Sequence, residues 1–219
     1  LADLHLQLRP GSNVALLNAM GSVLVKEGLL AQGFIATRTE GIEDWLKTVS
    51  DCTPEAAETI TSVPAHLIYQ AARRYGSSRS LCIHGLGVTE HRWGSHGVIA
   101  LCNLALATGN IGKPGTGINP LRGQNNVQGA SDMGCLPTFF AGYQSLDDPK
   151  LAALHQSVSG RALPTKRGMK TPDMWDAAIA GRLKGLSIVG YDVAQTDPNL
   201  KKVHEALTQV EFLVGHDLF

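Results

Sequence analysis

LSIVGYDVAQTDPNLKKVHEALTQVEFLVG, residues 186–215, sets two short apolar runs on either side of a helical pattern. Leu186-Ser187-Ile188-Val189-Gly190 reads as a strand and Tyr191–Gln195 as the loop after it. Thr196 or Asp197 is placed to cap a helix with Pro198 just inside it, and Leu200, Val203 and Leu207 recur on one face. Phe212-Leu213-Val214-Gly215 is a second strand. A strand, helix and strand within about 30 residues predict a βαβ unit, since parallel strands need a long crossover between them. The expected fold class is therefore α/β, built on a parallel sheet.

In open parallel sheets ligands bind beyond the carboxyl ends of the strands. Those ends are Gly190–Asp192, Gly215–Asp217 and, further upstream, Gly85–Glu90, which follows a strand predicted over about Ser80–His84. Each carries a glycine followed by a polar residue, with Thr196 one short loop away. Asp192 or Asp217 has the acceptors to bind a purine edge or a ribose hydroxyl; Asp192 and Asp197 can equally serve as caps of turns and helices. Gly85-x-Gly87 matches the start of a dinucleotide fingerprint, but Glu90 stands at the third glycine position, so the match is partial.

Upstream lies a second informative stretch, GNIGKPGTGINPLRGQNNVQGASDMG, with seven glycines in the 26 residues from Gly109 to Gly134. Between Lys113 and Asp132 the only charged residue is Arg122, flanked by Asn119, Gln124, Asn125, Asn126 and Gln128. Glycines allow a ligand close to the backbone, and amides supply donors and acceptors without net charge. A lone guanidinium there suits a small planar anion held by two parallel hydrogen bonds, a carboxylate next to something large and polar.

The rest of the chain is mostly helical by pattern. Ser12 is placed to cap a helix to about Glu27 that Gly28 stops, short helices follow at about 31–37 and 41–49, and Thr53-Pro54 opens another. Pro64 opens a longer one with Leu67, Ile68, Ala71 and Ala72 inward. A helix over about Arg92–Thr108 contains VIALCNLALA, apolar almost all round, which predicts full burial. The stretch 110–124 reads as a loop, a helix starts near Asn126, and an irregular segment with a solvated basic piece, Lys166–Lys170, runs to 170.

Composition excludes some functions. The chain has 219 residues, 43% hydrophobic, and zero formal net charge, which gives no support to binding nucleic acid or an acidic membrane surface. No apolar run reaches the ~18 residues that a membrane span needs. The cysteines, Cys52, Cys82, Cys102 and Cys135, lie 30, 20 and 33 residues apart, with no Cys-x-x-Cys to hold zinc or an iron–sulfur cluster. They read as buried free thiols in a reducing, cytoplasmic setting. His84, His91 and His216 read as ordinary polar or partly buried residues and not as catalysts. With no acid–base pair or nucleophile in view, the chemistry must come from a cofactor that the chain helps to hold.

The segment from Gly85 to Pro137, and NPLRGQNNVQGASDMG at 119–134 above all, resembles the catalytic subunit of molybdenum- or tungsten-dependent formate dehydrogenases, among the molybdopterin oxidoreductases. The likeness extends to LHLQLRPGSNVALLNAM at 4–20, TPEAAETITSVPA at 53–65 and IVGYDVAQTDPNL at 188–200, and is weakest over about 140–175. It implies Rossmann-like parallel-sheet layers forming parts of two domains, 1–124 and 125–219, that each bind a molybdopterin guanine dinucleotide. It implies that Arg122 sits beside the metal and orients the formate carboxylate, with Gly123 and Gln124 against a pterin. Leu86, Thr89 and Glu90 would lie along a cofactor-contacting loop, and Asp192, Thr196, His216 and Asp217 at the dinucleotide end of the other cofactor. Glu90 and His216 depart from the family pattern, which has glutamine at both. No residue of the chain is expected to ligate the metal.

The same resemblance implies an internal fragment. An iron–sulfur domain, the cysteine or selenocysteine that ligates the metal, and a closing barrel belong to other parts of such subunits, so the piece alone is expected to be inactive. Formate and electron-transfer subunits or domains are the expected partners of the parent enzyme. Two other readings stand beside it: a related bis-pterin oxidoreductase with another small substrate, and a non-catalytic nucleotide-binding module.

Overall fold

The computed structural model describes residues 2–218. The chain divides into two compact units, Leu1–Asn125 and Asn126–Phe219, against an expected division between 124 and 125.

In the first unit, α1 (Asn13–Lys26) is the central helix, packed against α3 (Ile42–Val49), α4 (Pro54–Thr61), α5 (Ala65–Ser77) and α7 (Gly94–Ala107). A short α2 (Gln32–Arg38) packs on α7. Leu16 and Ala19 of α1 meet Ala57, Val63 and Ile68 in a buried cluster. Outside it, a fork of Arg73 on Glu27, at 2.7 to 3.1 Å, ties α5 to the end of α1. Ser12 does precede α1, but its hydroxyl donates to Arg9 C=O (2.6 Å) and caps nothing. Thr53 does cap α4: its Oγ1 accepts from Ala56 N–H at 3.1 Å. Thr53→Ala is therefore expected to cost about 1 kcal/mol, measurable by chemical denaturation.

β1 (Leu81–His84) runs into the short α6 (Leu86–Thr89), then α7, and the chain returns as β2 (Gly117–Pro120). The two strands pair in parallel, with Leu81 opposite Gly117 and His84 opposite Pro120. This corrects the reading of 110–124 as loop. Gly117-Ile118-Asn119-Pro120 has no alternation and ends on proline, and it becomes a strand only because β1 supplies partners. Helix α7 is not fully buried either: Ala100, Leu104, Ala105 and Ala107 are, while Ile99 is 55% exposed. Buried Asn110 anchors the start of β1, accepting from Ser80 N–H (3.0 Å) and donating to Tyr75 C=O (3.3 Å).

The second unit begins with α8 (Val127–Asp132), capped by Asn126, whose Oδ1 accepts from Gly129 N–H at 3.2 Å. A small antiparallel pair follows, β3 (Phe139–Phe140) and β4 (Gln144–Ser145). The segment read as irregular also holds α9 (Pro149–Ser159), which starts on an Asp148 cap and a first-turn proline, and α10 (Thr171–Ile179) comes next. The predicted βαβ unit is present: β5 (Gly185–Val189) and β6 (Phe212–His216) are parallel, joined through α11 (Val193–Thr196) and α12 (Leu200–Gln209). Its helix starts later than expected. Asn199 caps α12 by accepting from Lys202 N–H (3.4 Å), Pro198 lies outside the helix, and Leu200 is 40% exposed. Trp175 and Ala178 of α10 pack with Val193, Val203 and Ala206 as the core.

The cysteines are free, but Cys135 is exposed and the other three half-buried, so burial of all four does not hold.

Candidate functional site

Parallel pairing of β1 and β2 places their carboxyl ends side by side. The ladder continues one residue further, Leu121 N–H donating to His84 C=O at 2.7 Å. Arg122 follows immediately, beside the 85–90 segment that leaves β1. Leu86, Thr89 and Arg122 line one recess of about 180 Å³, with His84, Pro120 and Val98. No carboxylate lines it. Arg122 is exposed, and among the described residues no side chain pairs with its guanidinium. Gly123 and Gln124 beside it are exposed, and a side chain added at Gly123 would meet open space. Glu90 ends α6, donating its N–H to Leu86 C=O (2.8 Å) and leaving its exposed carboxylate outside the lining of the recess. The partial fingerprint at Gly85 does not become a dinucleotide turn, because the helix that follows β1 has four residues only.

What fixes the loop is Gly94. A Cβ there would lie 2.0 Å from Thr89 C=O, so the start of α7 is pressed against the backbone of the loop. In the lining of the same recess, His84 is 9% exposed and its Nδ1 is buried without a hydrogen-bond partner. Sequence reading took His84 for an ordinary polar or partly buried residue, because one histidine at a strand end carries no pattern. Burial holds the Cys82 and Cys52 thiols above the usual range, so both stay protonated at neutral pH.

In the second unit, Asp192, His216 and Asp217 line a recess of about 340 Å³ at the carboxyl ends of β5 and β6, together with Tyr191 and Gly215. Asp192 does cap: its Oδ1 accepts from Ala194 N–H (3.1 Å) and its Oδ2 from Gln195 Nε2 (2.6 Å). Capping does not remove it from the recess, and a carboxylate has lone pairs to spare for a ligand. Thr196 stands behind the recess, its hydroxyl donating to Asp192 C=O at 2.6 Å. Asp197, read from sequence as a cap, is instead a buried acceptor for two aromatic donors. Its Oδ2 takes Trp175 Nε1–H (2.6 Å) and its Oδ1 takes the Tyr191 hydroxyl (2.5 Å). Asp197→Ala strands the buried indole donor, for an expected loss of about 2–3 kcal/mol, readable as a lowered denaturation midpoint.

The site residues thus fall into one group in each unit, both beyond the carboxyl ends of parallel strands. The sequence profile of the molybdopterin oxidoreductases matches residues 1–219. The chain belongs to that family.

Among the relatives of this molybdopterin oxidoreductase chain, Formate dehydrogenase H of Escherichia coli is 44% identical over 221 residues. The F420-dependent formate dehydrogenase subunit alpha of Methanocaldococcus jannaschii is 45% identical over 219. Both cover the whole chain, which spans 31% and 32% of their respective lengths. Acetylene hydratase from Pelobacter acetylenicus superposes with a TM-score of 0.71 over 99% of the chain and 32% of its own, at 17% identity, a likeness of fold. Among the described residues no helix is long and apolar enough to cross a membrane, and no cluster of three or more His, Cys, Asp or Glu could hold a metal.

Proposed function

We propose that this chain is the part of a formate dehydrogenase catalytic subunit that grips the carboxylate of formate and two molybdopterin guanine dinucleotides. The observation that carries the reading is the recess at β1 and β2, where an unpaired guanidinium faces a lining without any carboxylate. Identity of 44–45% with formate dehydrogenase subunits supports formate as the anion.

The residues present suit such a cofactor. The open space at Gly123 admits a flat ring close to the backbone, and Gln124 has the amide to meet its polar edge. Leu86 and Thr89 offer an apolar surface and a hydroxyl on a loop held still by Gly94, with Glu90 at its end. In the second unit, Asp192 and Asp217 offer acceptors for the N–H groups of guanine or for ribose hydroxyls, His216 a ring beside them, and Thr196 holds the Asp192 loop. When bound, the pterin-held molybdenum or tungsten supplies the two-electron acceptor that no side chain of this chain provides.

Arg122 does the positioning. Two parallel N–H donors fix both oxygens of formate, which leaves the C–H bond as the one part of the molecule not engaged. The guanidinium keeps its charge throughout, so it neutralises the carboxylate without taking part in proton transfer. Formate then gives carbon dioxide, a proton and two electrons. The electrons leave through electron-transfer domains or subunits of the parent enzyme, the iron–sulfur cluster among them lying outside this chain. The chain on its own is inactive in this reading, which assigns the metal ligand to another part of the subunit, and its free cysteines support a reducing, cytoplasmic location.

The test is to assay the full-length protein that contains this chain. Formate-dependent reduction of a dye, with molybdenum or tungsten and two pterins per polypeptide, is the expected result. A protein that purifies without metal or pterin is a binding module instead, and one that carries both but ignores formate acts on another substrate.

A further inference from the structure

We infer that His84 is a second anchor for the anion in the Arg122 recess, its imidazole donating a hydrogen bond to the oxyanion that the guanidinium grips. The inference rests on the reading that formate binds in this recess.

His84 is the last residue of β1 and stands opposite Pro120, with Leu121 N–H bonded to its carbonyl at 2.7 Å. Residues opposite one another in a parallel pair share a face of the sheet, and side chains alternate along a strand. One step of ladder beyond Pro120, the alternation returns at Arg122 to the face of His84, and both residues line the recess. The imidazole is only 9% exposed, and its Nδ1 is buried with no hydrogen-bond partner among the described residues. The lining does not supply one. Apart from Thr89, which is not bonded to the ring, and Arg122, it is apolar or glycine, and a guanidinium cannot accept a hydrogen bond.

A buried polar atom left unpaired is costly, and a native chain that keeps one calls for a reason. An apolar side chain would fill the same place at the end of β1 without that cost. The gain from histidine must therefore arise when the recess is filled. Two nitrogen groups share one recess that holds no carboxylate, so the acceptor that serves both is an anion. Rotation about the Cβ–Cγ bond of histidine is broad, so the ring edge turns to a ligand without leaving its place on the strand. The fork of Arg122 takes both oxygens of a carboxylate, each of which has a further lone pair. An N–H from His84 to one of them stops the anion from hinging about the line of the two guanidinium bonds.

The test uses the full-length protein that contains this chain, with metal, pterin content and melting temperature measured for every variant. His84→Leu is expected to raise KM for formate roughly ten- to hundredfold, the range of one hydrogen bond to a charged group. Its kcat is expected to change by no more than about twofold, since the bond is made to bound formate and to the transition state alike. Pterin, metal and melting temperature are expected to hold. Nitrate, a planar oxyanion with no C–H bond to break, is expected to compete with formate and to lose affinity in His84→Leu by a similar factor. His84→Asn puts an amide N–H near the place of Nδ1 and is expected to recover most of the loss. Unchanged KM and nitrate affinity in His84→Leu overturn the inference, as does a His84→Asn variant no better than His84→Leu. A fall in pterin content gives the histidine to the cofactor, and a lowered melting temperature makes it a structural residue; either result overturns the inference too. If the wild-type protein does not oxidise formate, the reading of the recess fails and this inference with it; if it does while His84→Leu matches it, only the inference fails.

Discussion

Arg122→Lys in the full-length enzyme is expected to lower kcat/KM for formate by roughly 10²-fold or more, with pterin and metal content unchanged. Lysine keeps the charge and the length but replaces a planar fork by a point donor. The loss therefore measures the two-bond grip and not the electrostatic attraction. The recess makes the effect hard to compensate: its lining holds no second cation, and no neighbouring side chain is bonded to Arg122 in a way that would position a substitute. Steady-state kinetics with metal analysis on the same preparations check it. Unchanged kinetics in the loaded variant remove Arg122 from the mechanism.

Gly94→Ala is expected to be the most damaging small substitution in the first unit. The added methyl would lie 2.0 Å from the carbonyl oxygen of Thr89 and 2.7 Å from its carbonyl carbon, both backbone atoms that cannot swing aside. Either α7 starts later or the 86–90 loop moves away, for a cost of about 3 kcal/mol or more. The loop carries Leu86, Thr89 and Glu90, so pterin content of the full-length protein should fall together with stability. Gly33→Ala is the control: that glycine lies in α2 with nothing within 4 Å, so alanine should be neutral or slightly stabilising. Chemical denaturation of both variants decides it; equal midpoints would mean that the loop yields freely and is not a fixed support.

The parts of the fold legible in the sequence are those with a strong local signal. Thr53-Pro54 announced α4 because the cap and the first-turn proline are adjacent in the chain, and β5 with β6 stood out as apolar runs flanked by turns. β2 did not, because Gly117 and Pro120 argue against a strand and its partners come from residues more than thirty positions upstream. α9 was missed although Asp148-Pro149 is the same kind of signal as Thr53-Pro54; the surrounding prolines drew the segment into a loop reading.

The site was legible in another way. Arg122 stood out as a lone charge among glycines and amides, and Asp192 and Asp217 stood out from their place after strands. Their grouping into two recesses needed the pairing of β1 with β2 and of β5 with β6. Two supports had no signal at all. The close approach of Gly94 to Thr89 is a through-space fact, and the meeting of Asp197 with Trp175 joins residues on different elements.

The central claim is that the guanidinium of Arg122 meets a small oxyanion next to a pterin-held metal. A structure of the full-length protein as isolated, with metal and pterins bound, tests it most directly. The account predicts Arg122 facing the molybdenum or tungsten with no side chain between them, Gly123 and Gln124 against a pterin, and the loop 86–90 along the same cofactor. An Arg122 that points into bulk solvent, remote from the metal, would contradict it.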